Sequence, residues 1–388
     1  MLGRGVYLLR GPGMLRVEEG EGEVLGYPVS AGDSIVVPVG RGVLARFREG
    51  SRASYTGRWE AVDPGVYDDW DRLASSLAVP GRILLVGPSD SGKSTLASWI
   101  ANKLASAGGR VLYATVDIGQ NENYCPGFTS SSVVEGPFIP GSGGRLYRVC
   151  FVGSFTPRDA VHRYIGCSSN ILKGWTSPVV FDTDGWVSPW EGLESKVAVA
   201  EAAGVDRVVA VGLEERYVEF LRRRLASVEV SSIPPPYRGS KSREERRIHR
   251  ERLIAKALAG ARERSYSLDR VPLYGAPLFA GEPLDPRPFS EMLGSTVYYA
   301  EKAGGGVRLV VRGRARPQPG VVFVRSGWER GLLVSLWRGD LGFPGLVTRV
   351  NYRARTIYVL TGFEGDPEYI EAGAARLDPD SFSGRARW

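Results

Sequence analysis

The stretch RILLVGPSDSGKSTLASWI, Arg82 to Ile100, decides the fold of this chain. Its first part, RILLVG, is a short continuous apolar run, as in a strand buried on both faces. Its last part opens a longer segment of helical composition, STLASWIANKLASA. Between them, Gly87-x4-Gly92-Lys93-Ser94 matches the phosphate-loop pattern without a gap. The spacing has a chemical reason. Glycines let the loop fold until its backbone N–H groups point inward at nucleotide phosphates, and the helix adds its positive N-terminal end. Lys93 is placed to reach the β- and γ-phosphate oxygens, and Ser94 to offer a hydroxyl to Mg2+. Gly87, Ser89, Asp90, Ser91, Gly92, Lys93, Ser94 and Thr95 are therefore the predicted nucleotide-binding set.

Outward from this loop, strands and helices alternate from Arg82 to about Gly260. RVLYATVD, RVCFVG, PVVFDT and RVVAVG read as further buried strands, with the helix WEGLESKVAVAEAAG between the last two. This predicts an α/β domain with a parallel sheet covered on both faces. Residues 1–63 read differently. GVYLL, MLRVE, SIVVPV and GVLARF are separated by Gly- or Asp-rich turns with no helical period, which predicts a small sandwich or barrel. DPGVYDDWDRLASSL then leads into a helix with Trp70 and Leu73 on one face. From about Ser265 the pattern returns to β, with STVYYA, VRLVVRG, GVVFVRS, GLLVSLW, GLVTRVNY and TIYVLTGF. The predicted architecture is an N-terminal β-sandwich over 1–63, a P-loop domain over 64–262 and a small β-rich domain over 263–388.

Composition sets the outer bounds. The 388 residues are 43% hydrophobic and 24% charged, an ordinary globular balance with ample chain for a core. The N-terminus is broken by glycines and lacks the apolar core of a signal peptide, and no apolar run is long enough for a bilayer. The expectation is a soluble, intracellular, cytoplasmic protein without a membrane partner. The formal charge of +7 favours an anionic partner. The basic residues are seven lysines against 43 arginines, and arginine suits bidentate phosphate contacts, although a GC-rich genome gives the same bias. Cys125, Cys150 and Cys167 show no CxxC spacing, which argues against a disulfide framework or a zinc site. Two histidines leave little for histidine-based acid–base work.

Two strand-end carboxylates compete for the metal. Asp117 ends RVLYATVD, and Asp182 ends PVVFD within DTDGW. Either suits Mg2+ or an attacking hydroxyl, and either suits a simple turn cap. Asp182-x-x-Gly185 resembles a GTPase switch motif, but VGLEERY stands where a guanine-reading Asn-Lys-x-Asp belongs, so ATP is the expected nucleotide. Arg243, Arg246, Arg247, Arg250 and Arg252 crowd one helix, SREERRIHRERLIAKALAG. Such a face could close over a γ-phosphate; the interleaved Glu244, Glu245 and Glu251 equally fit a solvated, salt-bridged helix. Trp186 follows a strand end near the loop, where an aromatic ring can stack on a base or simply pack.

The ordered set LLVGPSDSGKSTLA, VDIGQ, FVGSFTP and DTDGWV, followed by an Arg-rich helix, resembles the polynucleotide 5′-hydroxyl kinase family, in an archaeal-like form. That family includes the kinase subunit of the pre-mRNA 3′-end cleavage factor and ribosomal-RNA-processing kinases. GPGMLRVEEGEGEVLG resembles its β-sandwich, and GLLVSLWRGDLGFPGLVTRVNYRARTIYVLTG its C-terminal domain. The resemblance implies ATP- and Mg2+-dependent phosphorylation of a 5′-hydroxyl end of RNA or DNA, with protein partners in RNA processing such as transfer-RNA splicing. It implies Lys93, Ser94 and Thr95 in the phosphate loop, and Asp117 with Gln120 in the metal-and-base motif. Thr156 and Pro157 would clasp the acceptor end, Trp186 would lie near the bound strand, and Arg247 and Arg252 would form the lid. Ser94 and Asp117 would hold the metal. TPRDAVHR departs from the family by lacking an Asn after Thr-Pro, and DTD replaces a neutral strand end. Two other readings stand beside the kinase: an ATP-bound, non-catalytic scaffold of an RNA-processing complex, and a generic ATPase or small-molecule kinase.

Overall fold

The computed structural model describes residues 1–142, 144–235, 242–313, 316 and 318–383; residues 236–241 of the SSIPPPYRGSKS tract lie outside these. The chain divides into two compact units. One comprises residues 1–124, 128–150 and 156–245, the other residues 125–127, 151–155 and 246 onward.

The first unit begins with eight short strands, β1–β8: Gly5–Arg10, Gly13–Glu19, Glu21–Val24, Tyr27–Ser30, Ser34–Val37, Gly42–Phe47, Arg52–Tyr55 and Arg58–Val62. They form two sheets, ordered β4-β3-β6-β1-β8 and β5-β2-β7. Leu9, Leu15, Val17, Val24, Val37, Ala45 and Phe47 are buried in their core. Helix α1 (Pro64–Leu77) follows. Asp63 caps it by accepting from the Gly65 N–H at 2.7 Å, and Pro64 opens it with its ring already at helical φ. Tyr67, Trp70, Ala74 and Leu77 form its buried face.

The rest of this unit runs β9 (Arg82–Val86), α2 (Lys93–Ser106), β10 (Val111–Thr115), β11 (Phe128–Val134), β12 (Arg145–Phe151), a 3-10 turn (Pro157–Asp159), α3 (Val161–Asn170), β13 (Val179–Asp182), α4 (Trp190–Ala203), β14 (Arg207–Val211), α5 (Glu215–Arg224) and β15 (Glu229–Ile233). The sheet order is β12-β11-β10-β13-β9-β14-β15. The pairs β10–β13, β13–β9, β9–β14 and β14–β15 are parallel, as buried apolar strands between helices predict. β11 runs antiparallel to β10, so the sheet is mixed rather than wholly parallel. Neither β11 (FTSSSVV) nor β15 (EVSSI) stands out in sequence, because both are rich in serine. In β11 those hydroxyls are buried and used: Ser130 donates to Asn121 Oδ1 at 3.0 Å and Ser131 to the Ile171 carbonyl at 2.7 Å. Strand periodicity cannot show such pairing.

α2 links this sheet to the first strands. Trp99 stacks on Trp70 at 5.8 Å, and its ring lies against Gly26, where a Cβ would fall 2.3 Å from Trp99 Nε1. Gly26 has φ +72°, so both space and backbone exclude a side chain there. Asn102 donates to the carbonyls of Leu25 and Phe138. Cys150 and Cys167 are disulfide-bonded, tying β12 to α3 with Cα atoms 5.2 Å apart. This corrects the expectation, drawn from the sparse spacing of three cysteines, that no disulfide framework is present; only the tertiary approach of β12 and α3 creates the pairing. Cys125 is free and buried.

Helix α6 (Arg243–Ala257) spans the division between the units. The second unit then contains β16 (Arg262–Ser267), β17 (Leu273–Tyr274), β18 (Glu282–Leu284), α7 (Arg287–Leu293), β19 (Val297–Ala303), β20 (Gly306–Val311), β21 (Val321–Arg325), β22 (Leu332–Arg338), β23 (Leu341–Asn351), β24 (Thr356–Thr361) and β25 (Tyr369–Arg376). One sheet is ordered β16-β24-β23-β22-β25-β17, the other β18-β19-β20-β21. Among the described residues no helix is long and apolar enough to cross a membrane.

Candidate active site at the phosphate loop

Buried β9 delivers the chain into the loop, and α2 begins at Lys93. Asp90 and Gly92 have φ +62° and +89°, the left-handed backbone that curls the loop's N–H groups inward. Gly185, after β13, lies against this loop. A Cβ there would sit 2.2 Å from Ser89 Oγ and 2.4 Å from the Ser89 nitrogen. The glycine of DTDGW is thus needed for two loops to share one place. Thr183 fixes the same approach by donating to the Leu85 carbonyl at 2.7 Å.

Lys93 is buried, and its ammonium donates to the Pro88 carbonyl at 2.6 Å, held within its own loop. Burial lowers its pKa, while Asp182, Asp117 and Asp184 oppose that shift. These carboxylates form the electrostatic surroundings of the loop. Asp117 Oδ1 accepts from the N–H groups of Gly119 and Gln120 at 3.0 and 3.1 Å. Burial, with Asp184 and Asp182 nearby, pushes its carboxyl up to about 6. Asp182 Oδ2 accepts from the Tyr113 hydroxyl at 3.0 Å, and burial raises this carboxyl too, against the Ser94 hydroxyl, Lys93 and Arg41. Its Oδ1 is buried and accepts no hydrogen bond of good geometry.

That orphan oxygen tests the metal. A buried acceptor without a donor is costly unless something electropositive meets it. Among the described residues no group of three or more His, Cys, Asp or Glu side chains forms a cation cage. Mg2+ needs none, since it is commonly held by one or two carboxylates, nucleotide phosphates and water. The Ser94 hydroxyl and the carboxylates of Asp182 and Asp117 therefore fit Mg2+. Of the two, Asp182 has the open oxygen.

Asp184 sits two residues further on and is fully engaged. Its Oδ2 accepts from Lys196 Nζ at 2.5 Å and the Tyr164 hydroxyl at 2.7 Å, and its Oδ1 from the Trp186 N–H at 2.8 Å. Lys196 is completely buried on α4 and Tyr164 on α3. Gly192, one turn before Lys196, touches Trp186, where a Cβ would lie 2.6 Å from the Trp186 carbonyl oxygen. α4 thus positions Trp186 from two sides. Sequence reasoning missed Lys196, although a lone lysine within LESKVAVA was the available signal. Replacing it (Lys196→Met) strands a buried carboxylate and is expected to cost about 3–5 kcal/mol of stability. The double change Asp184→Asn with Lys196→Met should recover most of that, read by denaturant unfolding. A single variant as stable as the parent would exclude the pair as a structural anchor.

The predicted acceptor residues divide. Thr156 precedes the 3-10 turn that starts with buried Pro157, and the Arg158 guanidinium lies over the Trp186 ring at 5.5 Å. The TPR segment and Trp186 are therefore brought together. Gln120 follows Asp117 in its turn and is partly exposed. Arg247 and Arg252 fall in the second unit; Arg247 pairs with Glu251 at 2.9 Å, and Arg252 is exposed.

A mixed sheet whose first strand feeds a phosphate loop, with acidic groups at the ends of β10 and β13, defines a P-loop nucleotide-binding protein. Residues 87–259 match the family model described as mRNA cleavage and polyadenylation factor CLP1 P-loop. The chain is 29% identical over 303 residues to a polyribonucleotide 5′-hydroxyl-kinase of Pyrococcus furiosus, covering 74% of this chain and 84% of that protein. It is also 29% identical over 219 residues to the polyribonucleotide 5′-hydroxyl-kinase Clp1 of Xenopus tropicalis, covering 50% of each chain. The solved structure of a wild-type Clp1p–Pcf11p complex has a chain of like fold, with a TM-score of 0.62 at 13% identity over 97% of this chain and 96% of that one.

Proposed function

We propose that this protein is a polynucleotide 5′-hydroxyl kinase that transfers the γ-phosphate of ATP to the 5′-OH end of RNA, and of DNA where the site admits it. The observation that carries this reading is the half-buried Asp117, its carboxyl raised to about 6, beside the phosphate-loop Lys93, with Trp186 held at the same sheet end by Asp184. A general base titrating near 6 is charged at neutral pH yet still basic enough to take a hydroxyl proton.

In this reading the terminal nucleotide rests against Trp186 and the Thr156–Pro157 turn. The 5′-oxygen attacks the γ-phosphorus, its proton passes to Asp117, the bond to the β-phosphate oxygen breaks, and ADP leaves. Lys93 and the inward N–H groups of the loop neutralise charge on the phosphate oxygens, which is most of what phosphoryl transfer asks of a protein. Ser94 and Asp182 would hold Mg2+, with Asp117 in the metal's surroundings but left free to take the proton; the ion would supply charge neutralisation on the phosphates. On the resemblance alone, Arg247 and Arg252 are assigned to the lid, and the division 1–63, 64–262 and 263–388 to working domains. Partner proteins of RNA processing belong to the same proposal.

The test is transfer of label from γ-labelled ATP, with Mg2+, to matched 5′-OH and 5′-phosphate oligonucleotides of RNA and DNA. Label on 5′-OH strands alone supports the kinase. Labelling of 5′-phosphate strands as readily, or phosphate release to water indifferent to any end, would sink it.

A further inference from the structure

The charge of this chain is not spread evenly. Residues 296–358 contain eleven basic and three acidic side chains, a net of +8, whereas the whole chain carries +7. Two of those three acids are buried and engaged. Glu301 accepts from the N–H groups of Phe279 and Gly281, and Glu329 from the Tyr352 hydroxyl at 2.7 Å. Glu301 also pairs with Arg308 at 3.6 Å, which removes that arginine from the free charge of the region. This region lies in the second unit, and nothing in the phosphate-loop chemistry uses it.

The pairing registers gather part of it at one end of the four-stranded sheet. β19 starts there, with Val297 opposite Val311 of β20, and the Arg312 N–H donates to the Thr296 carbonyl. β21 ends there, with Arg325 opposite Val311. The β23–β24 turn, Tyr352 to Arg355, comes to the same end, because Tyr352 stacks on Tyr298 at 6.2 Å and 25° and on Phe279 at 6.3 Å and 17°. Tyr352 is rigid. Its hydroxyl accepts from Gly327 N–H and donates to Glu329, and the turn is closed by the Ala354 N–H on Asn351 Oδ1. Tyr298 is the exposed member of this ring column, at 39%. Arg312 and Arg353 beside it are exposed and have no acidic partner among the described residues.

A near-parallel aromatic column with an exposed last ring, set among arginines, has the two elements of a single-strand platform: a π-face for a base and cations for its phosphates. We propose that Tyr298, backed by Tyr352 and flanked by Arg312 and Arg353, is a second nucleic-acid site that takes an internal stretch of single-stranded RNA without regard to its end. It rests on the kinase reading only in that the chain's substrate is nucleic acid.

The test uses the full chain and 5′-phosphorylated single-stranded RNA of about 20 nucleotides, with DNA of the same sequence in parallel, followed by fluorescence anisotropy over a salt series. Tyr298→Ala is expected to weaken binding roughly tenfold, since stacking of one base is worth about 1–3 kcal/mol. Tyr298→Phe should retain it. Arg312→Glu with Arg353→Glu should flatten the slope of log affinity against log salt by about 1.4, at about 0.7 per phosphate contact. Phosphorylation of a 5′-OH dinucleotide, too short to reach a second site, should be unchanged in all three. Unchanged affinity and slope in folded variants would overturn the proposal. So would equal loss of dinucleotide phosphorylation, or full competition by polyglutamate at matched charge, which would point to an acidic protein instead. Binding that falls as expected in a protein that labels no 5′-OH end would sink the kinase reading and leave the platform standing.

Discussion

Replacing Lys93 by alanine is expected to lower kcat/KM for 5′-phosphorylation roughly 10³-fold while leaving the fold intact. The size follows from where the ammonium sits. It is buried and stripped of water, so its charge acts on phosphate oxygens through a poorly screening medium. It is also aimed in advance, because the Pro88 carbonyl holds it within the loop. Alanine removes a cation that burial already disfavours, so unfolding should change little. Arginine should not rescue, since a planar fork cannot replace a compact charge in a loop of this size. Label transfer and thermal unfolding, measured side by side, decide the matter. A variant within tenfold of the parent rate would remove Lys93 from the mechanism.

Asp117→Asn should move activity and stability in opposite directions. In the folded protein the Asp117 carboxyl titrates at about 6, against an ordinary 3.8. As the base it must be ionised, so log kcat/KM should rise with pH up to about 6 and level off above it. The asparagine variant should lose about 10²–10⁴-fold at neutral pH, the usual worth of a general base, and with it the acidic limb. Stability runs the other way. A carboxyl raised on folding binds its proton more tightly in the native state. Its favourable share is therefore complete below about 4 and lost as pH climbs through about 6. Two units correspond to a penalty on the order of 3 kcal/mol at pH 7, as an upper value. In nucleotide-free protein, asparagine should raise the melting temperature at pH 7 and make little difference at pH 4. It can keep the Gly119 and Gln120 N–H bonds through its own carbonyl oxygen. A variant no more stable at pH 7 than at pH 4, relative to the parent, would contradict the raised carboxyl; one that stays active would contradict the base.

Much of the phosphate-binding site could be read along the chain because it is local. Gly87 to Thr95 lie in one turn between a strand and a helix, and backbone geometry there follows from residue type. The helices α1, α2, α4 and α6 and the apolar strands β9, β10, β13 and β14 were legible for the same reason, through periodicity and apolar runs. β11 was not, since its serines are satisfied by groups up to 40 residues away.

The sequence by itself determined a phosphate loop, its following helix, two candidate carboxylates at strand ends, and a basic chain suited to an anionic partner. Only the tertiary structure decided the surroundings of those two carboxylates, Asp182 with an open oxygen and Asp117 with a raised pKa, and the pairing of a third, Asp184, with Lys196. It also decided that Arg158 meets Trp186, that Cys150 bonds Cys167, and that Tyr298 joins a ring column with Tyr352. The reason is common to all of them. A pKa, an ion pair, a disulfide or a stack depends on which distant segments share a few ångströms of poorly screened space, and no local pattern of residues encodes that distance.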